Sequence, residues 1–445
     1  MKIMKTPIVD FVRTYAEKKS VRLHMPGHKG KSFIGCESLD ITEISGADVI
    51  YSADGIINES ENNATQLFGT AHTFYSTEGS SHAIKAMLAL ATAGEDTPTL
   101  LATRNAHKAF VYACALLDIS VEWVYGAQGA HLCTCDVTPA QIESALCKLA
   151  QKPAAVYVTS PDYLGHVLDI QGIADVCHKN GVPLLVDNAH GAYLAFLERT
   201  LHPIALGADM CCDSAHKTLP VLTGGAYLHI SKRANPEYIS SARERLALFA
   251  STSPSYLTLQ SLDTCNAYLD KDYSERLKNT CKAVSGLKDK LSRMGYEVCI
   301  SEPLKVVLSA KNGTSALDIA AHLSAYNIEV EFADNDFLVM MLTPENSTED
   351  IEAVESVLAY FVPTDRKDKR TPPSVLPGER VMSIRSAVLS RSEQIPVRLA
   401  EGKICASPAV SCPPAVPVVV AGERITGAHI KAFEYYGIEN VSVVK

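Results

Sequence analysis

Short apolar runs recur along this chain, each closing on a polar loop and separated from the next by a helical pattern. Thr99–Ala102, Val121–Tyr125, Ala154–Thr159, Pro183–Val186 and Ala226–Ile230 read as strands. Strands alternating with helices build a largely parallel sheet with crossover helices, so the fold class is α/β. In such a sheet ligands gather beyond the carboxyl ends of the strands, where residues distant in sequence converge. Asp187 stands at such an end, as do Arg104-Asn105-Ala106-His107 and Ser160-Pro161-Asp162-Tyr163. After about residue 295 the pattern shifts to a smaller α/β unit, with strands Glu297–Cys299, Lys305–Ser309, Glu329–Phe332 and Phe337–Leu342 around a helix from Ser315 to Tyr326. The charged, proline-terminated stretch from Pro363 to Pro373 reads as a linker to a last segment.

Two segments carry the chemistry. Asp213-Ser214-Ala215-His216-Lys217-Thr218 follows Val182-Pro183-Leu184-Leu185-Val186-Asp187-Asn188-Ala189-His190. Pyridoxal phosphate chemistry requires an amine for a Schiff base, phosphate donors beside it and a carboxylate for the pyridinium nitrogen; Lys217, its neighbours and Asp187 supply those types. Taken singly, Lys217 reads equally as a surface lysine and Asp187 as a helix cap; the pairing makes the cofactor reading. Gly79-Ser80-Ser81 opens the periodic segment Ala83, Ile84, Met87, Leu88, Leu90, where backbone N–H groups, hydroxyls and the helix dipole suit a phosphate. Ordinary N-capping is the plainer alternative. The segment is neither a Walker loop nor a GxGxxG, which argues against an NTPase or a nicotinamide enzyme.

Composition narrows the class. At 445 residues and 47% hydrophobic the chain can bury a large core, and the net charge of -9 lacks the basic, aromatic-interleaved clusters of a nucleic-acid groove. Thirteen cysteines, in neither a C-x-x-C metal pattern nor a secreted framework, suit buried thiols in a reducing cytoplasm. The residues after Met1 lack the apolar core of a signal peptide, and no apolar run is long enough to span a bilayer, so neither nucleic acid nor membrane is expected as a partner.

His24-Met25-Pro26-Gly27-His28-Lys29-Gly30, Asp40-Ile41-Thr42-Glu43-Ile44-Ser45-Gly46-Ala47-Asp48, Ser214 to Lys217, Ser251-Thr252-Ser253-Pro254-Ser255-Tyr256 and Pro413-Pro414-Ala415-Val416-Pro417 together resemble one family over nearly the whole length. It is the bacterial ornithine/lysine/arginine decarboxylases, in the shorter form without an N-terminal wing domain. The resemblance implies fold type I of the pyridoxal-phosphate-dependent transferases, an aspartate aminotransferase-like large domain with a small α/β domain and a C-terminal segment. The expected divisions are an N-terminal arm over 1–60, a cofactor-binding domain over 61–294, a small domain over 295–362, a linker over 363–373 and a C-terminal domain over 374–445.

By position, the resemblance implies that Lys217 carries the cofactor and Asp187 pairs with its ring nitrogen. Ser80, Ser81, Ser214 and His216 would hold the phosphate, His107 would stack on the ring, and His190 would tune Asp187 or line the pocket. The implied reaction is decarboxylation of a basic L-amino acid, arginine ahead of lysine and ornithine, by a cytoplasmic homodimer or larger homo-oligomer in polyamine metabolism. Asp162, Glu331 and Asp334 are candidates for the substrate's distal cation, each also readable as a turn or surface acid. The proton donor to Cα is left open between His107 and Lys217. Departures fall at Glu78, His82, Asp162 and Ala415. An aminotransferase or β-eliminating lyase of the same fold, or a relative without catalysis, are the competing readings. Against an aminotransferase, Ser301–Pro344 contains no arginine to clamp a carboxylate.

Overall fold

A computed structural model describes residues 4–126, 131–310, 315–362, 373, 377–408 and 415–445. The expected linker, apart from Pro373, and the prolines Pro413 and Pro414 lie outside the described residues. The strands in chain order are β1 (His72–Ser76), β2 (Thr99–Thr103), β3 (Ser120–Val124), β4 (Ala155–Thr159), β5 (Leu184–Asp187), β6 (Met210–Asp213), β7 (Ala226–Ile230), β8 (Glu297–Val298), β9 (Lys305–Ser309), β10 (Phe332–Ala333), β11 (Phe337–Met341), β12 (Ser392–Pro396) and β13 (Asn440–Val444). They distribute over two compact units, one of residues 1–94 and 177–275, the other of residues 95–176 and 276–445.

In the first unit the strands run in the order β1-β7-β6-β5. β5 and β6 are parallel, with Asp187 opposite Cys212, whereas β7 is antiparallel to both β6 and β1. Every residue of β5, β6 and β7 is buried, the polar Asp187, Asp213 and His229 included. Helices close the unit. Pro7–Glu17 starts on a proline, which has no N–H to leave unsatisfied, and buries Ile8, Val9 and Val12. Helix Tyr256–Lys271 is capped by Ser255, whose hydroxyl accepts from Thr258 N. Its Asp263 reaches back to accept from Ile8 N and Val9 N at 2.9 and 3.0 Å, taking up two donors of the first helix that have no partner within it.

The second unit holds the parallel strands β4-β2-β3, the antiparallel sheet β10-β11-β9-β8 and the pair β12-β13. β9 and β11 pair from Lys305–Met341 to Ser309–Phe337. Helix Ala316–Ser324, capped by Ser315, packs Ile319 and Leu323 into the same core as Val306, Leu308 and Leu338. The expected strand Glu329–Phe332 is shorter and later: only Phe332 and Ala333 pair with β11, with Glu329 and Glu331 exposed.

Candidate active site

The first unit gathers most of the sequence-expected residues at adjacent strand ends. Asp187 closes β5 and is buried; its Oδ1 accepts from Ala189 N at 3.2 Å and receives the Cys212 thiol at 3.7 Å. Lys217 lies in the single helical turn Ala215–Thr218 that follows β6. The loop after β5 returns His190 so that its Nε2 is 3.1 Å from Lys217 Nζ. An imidazole at that distance shares a proton with the amine, which is the arrangement general acid–base chemistry needs.

Ser80 is the first residue of helix Ser80–Ala91, and its Oγ accepts from Ser214 Oγ at 2.7 Å. Ser81 follows it, half-buried. The helix has Gly79 at its start, with φ of 75° and no side-chain cap, and a helix start of this kind suits an anion. Gly79 N donates to Gly224 O at 2.7 Å. A Cβ on Gly224 would stand 2.7 Å from the Thr77 carbonyl oxygen, so this close crossing of two backbones admits only glycine. His216 Nδ1 donates to Gly225 O at 3.0 Å. Burial pushes the His216 imidazole down, with the Gly225 carbonyl pulling partly the other way.

The departures at 78 and 82 are explained locally. His82 is buried and bridges, Nδ1 to Ser76 Oγ and Nε2 to the Leu246 carbonyl, both at 2.8 Å. Glu78 Oε1 accepts from Ser251 N at 2.7 Å. Tyr256 is also buried, and its hydroxyl donates to Asp48 O at 2.5 Å.

The second unit carries the remaining candidates. His107 caps helix Lys108–Leu117, its Nδ1 accepting from Ala109 N at 3.1 Å. Asp162 is buried, with Oδ1 accepting from His166 N at 2.9 Å and no partner for Oδ2; burial pushes its carboxyl up. Lys305 Nζ is held by the Asp162 carbonyl at 3.2 Å, and burial pushes its ammonium down. Asp334 is engaged on both oxygens: Oδ1 takes Asp336 N and Phe337 N, and Oδ2 lies 2.9 Å from His131 Nε2. Glu331 accepts from Tyr163 OH at 2.8 Å and is the exposed member of the three.

Sequence reasoning passed over Asn188, His202, Asp213 and His229, which meet through hydrogen bonds in the first unit. The available signal was the alternation along β6 and β7 that puts Cys211, Asp213 and His229 on one face.

Strands closing on Asp187 and Asp213, followed by a lysine-bearing turn, are arranged as in fold type I of the pyridoxal-phosphate-dependent transferases. The lysine decarboxylase LdcF of Francisella novicida shares that fold, with a TM-score of 0.84 at 16% identity over 100% of this chain and 82% of that one. The chain belongs to the Orn/Lys/Arg decarboxylase family: residues 6–306 match the family's major domain and residues 381–440 its C-terminal domain. Among curated relatives, protein YaaO of Bacillus subtilis (strain 168) is 30% identical over 95% of this chain and 92% of its own length. An arginine decarboxylase of the same organism is 29% identical over 96% and 92%. The family and fold implied by the sequence motifs are therefore borne out, and the chain is an amino-acid decarboxylase rather than an aminotransferase.

Proposed function

We propose that this protein removes CO2 from L-arginine, ahead of lysine and ornithine, to give agmatine for polyamine metabolism, with pyridoxal phosphate on Lys217. The observation that carries the reading is the 3.1 Å approach of His190 Nε2 to Lys217 Nζ, beside Asp187 at the neighbouring strand end. The donor set fits the cofactor. Ser80, Ser81, Ser214 and the start of helix Ser80–Ala91 suit a phosphate. His216, with Nδ1 committed to Gly225 O, would donate through Nε2 once a dianion beside it favours its protonated form. When bound, pyridoxal phosphate supplies a protonated ring that takes up the electrons left behind as the carboxylate departs.

The chain's own residues do the rest. Lys217 provides the amine, and His190 holds or moves a proton at Nζ. Asp187, buried and oriented by Ala189 N, is the proposed partner of the ring nitrogen. The preference for arginine is supported by the name of the Bacillus subtilis relative.

A cytoplasmic homodimer is the proposed form. Val21, Leu23, Phe33 and Ile34 on the N-terminal arm are exposed by 85%, 90%, 78% and 84%, an apolar stretch suited to cover by a second copy. The described cysteines are free thiols, most of them buried, as a reducing compartment requires. Among the described residues no helix is long and apolar enough to cross a membrane. The test is chromatographic detection of amine after incubation with arginine, lysine or ornithine separately. Agmatine as the fastest-formed product is expected; keto acids, or no amine from any of the three, would reject the proposal.

A further inference from the structure

On the other face of the sheet from Asp187 lies a buried polar cluster that the proposed chemistry does not use. Asp187 is paired in register with Cys212, and Cys211 with His229. Neighbours along a strand point to opposite faces, so Cys211, Asp213 and His229 project away from the face that Asp187 shares with Cys212. Asp213 is fully buried. Its Oδ2 accepts from Nε2 of His202 and of His229, each at 3.1 Å, and its Oδ1 accepts from Asn188 Nδ2 at 2.7 Å. A carboxylate can only accept, so both imidazoles carry their hydrogen on Nε2. His229 Nδ1 is then an acceptor for the Thr73 hydroxyl at 2.9 Å, and Thr73 pairs with Thr70 at 2.8 Å. The Phe68 ring covers the cluster, its centroid 4.5 Å from that of His229 and 5.6 Å from that of His202.

A buried carboxylate is costly unless its lone pairs are satisfied; here three donors satisfy it. Against the opposing pull of burial, His202 and His229 hold Asp213 well below the usual carboxylate range. The anion therefore persists, and it grips Asn188, the residue next to Asp187. Asn188 is tightly seated: its N donates to Cys212 O at 3.0 Å, and a Cβ on Gly191 would stand 2.0 Å from its Oδ1. Asp213 is followed directly by Ser214 and the turn that bears Lys217.

We infer that Asp213 is a positioning residue, a buried anion that clamps the ends of β5 and β6 through Asn188 and so fixes Asp187 relative to Lys217. The inference rests on the proposed cofactor roles of those two residues. A metal site is the rival use of the same atoms, since His202, Cys211 and Asp213 lie close enough to share an ion. Against it, His202 Nδ1 has no acceptor of the kind that orients a metal-bound imidazole, and burial pushes the Cys211 thiol up, away from the thiolate.

The experiment compares Asn188→Ala, Asp213→Asn and the double variant, each loaded with pyridoxal phosphate. Visible circular dichroism of the bound cofactor reads its orientation without turnover, and kcat and KM are read alongside. Each single variant should lose most of the induced dichroism and about tenfold in kcat with KM little changed, and the double should be no slower than the worse single, because both cut one link. Unchanged dichroism and kcat in Asn188→Ala, or losses that multiply in the double, would overturn the clamp. Should Asp213→Asn not fold, Asn188→Ala alone decides, since it leaves the Asp213–histidine contacts in place. One equivalent of zinc in the purified holoenzyme would likewise overturn it. If the parent protein releases no amine, the decarboxylase proposal fails while the dichroism still reports on the clamp.

Discussion

At the scale of single residues, the proposed chemistry concentrates on Lys217 and His190, whose nitrogens lie 3.1 Å apart. Lys217→Ala removes the amine while leaving Ser80, Ser81, Ser214 and the helix start intact. Borohydride should then trap no cofactor on the protein, although some should remain bound without a covalent link. His190→Gln should keep the borohydride-trapped cofactor and lose about a hundredfold or more in kcat, the usual scale of a displaced acid–base group. Trapping that survives in Lys217→Ala would move the attachment to another lysine. A His190→Gln variant with normal kcat would make His190 a lining residue only. Lys217, Asp187 and His190 could be singled out as candidates because each sits in a short motif. Asp213 could not, since His202 and His229 lie 11 and 16 residues from it in sequence and meet it only through folding and strand register.

At the scale of elements, the sequence marks strands where buried residues are strongly apolar and branched, as in β7 and β9. It misses β6, whose Met-Cys-Cys-Asp lacks β-branched residues yet is buried throughout, so tertiary cover decides the matter. The pair β12-β13 escaped for another reason: Ser392, Glu393 and Gln394 are exposed, and of β12 only Ile395 packs an apolar side chain against the core that Val441 and Val443 of the opposite strand join. The glycine crossing beside the phosphate cradle is an element-level device as well. Gly224 has φ of 96°, which an L side chain rarely adopts, and a Cβ there would press on the Thr77 carbonyl. Gly224→Ala should therefore push the turn before helix Ser80–Ala91 away from the lysine turn. Cofactor affinity should fall by about tenfold, roughly 1.4 kcal/mol, in a fluorescence titration, with a smaller effect on substrate KM. Unaltered affinity would show that the cradle does not depend on this crossing.

At the scale of the molecule, burial of charge ties the N-terminal helix to pH. Asp263 accepts from Ile8 N, Val9 N and the Ser60 hydroxyl, the last at 2.6 Å. Burial pushes its carboxyl up to about 6, against the pull of those hydrogen bonds. A folded-state value above the unfolded one means that the folded protein binds the proton more tightly than the unfolded chain. The resulting stabilisation is full below the unfolded carboxylate value of about 4 and is lost as pH rises through about 6. Asp263→Asn keeps an oxygen for Ile8 and Val9 and removes the titration. Relative to the parent, the variant should gain about 1 kcal/mol of stability between pH 5 and pH 7.5, the size expected when a group shifted by about two units is followed across most of its range. Thermal midpoints of both proteins at the two pH values provide the measurement. A difference between them that does not move with pH would mean that Asp263 titrates near its unfolded value and that its hydrogen bonds to the first helix fully offset its burial; one that moves in the parent's favour as pH rises would place it below that value.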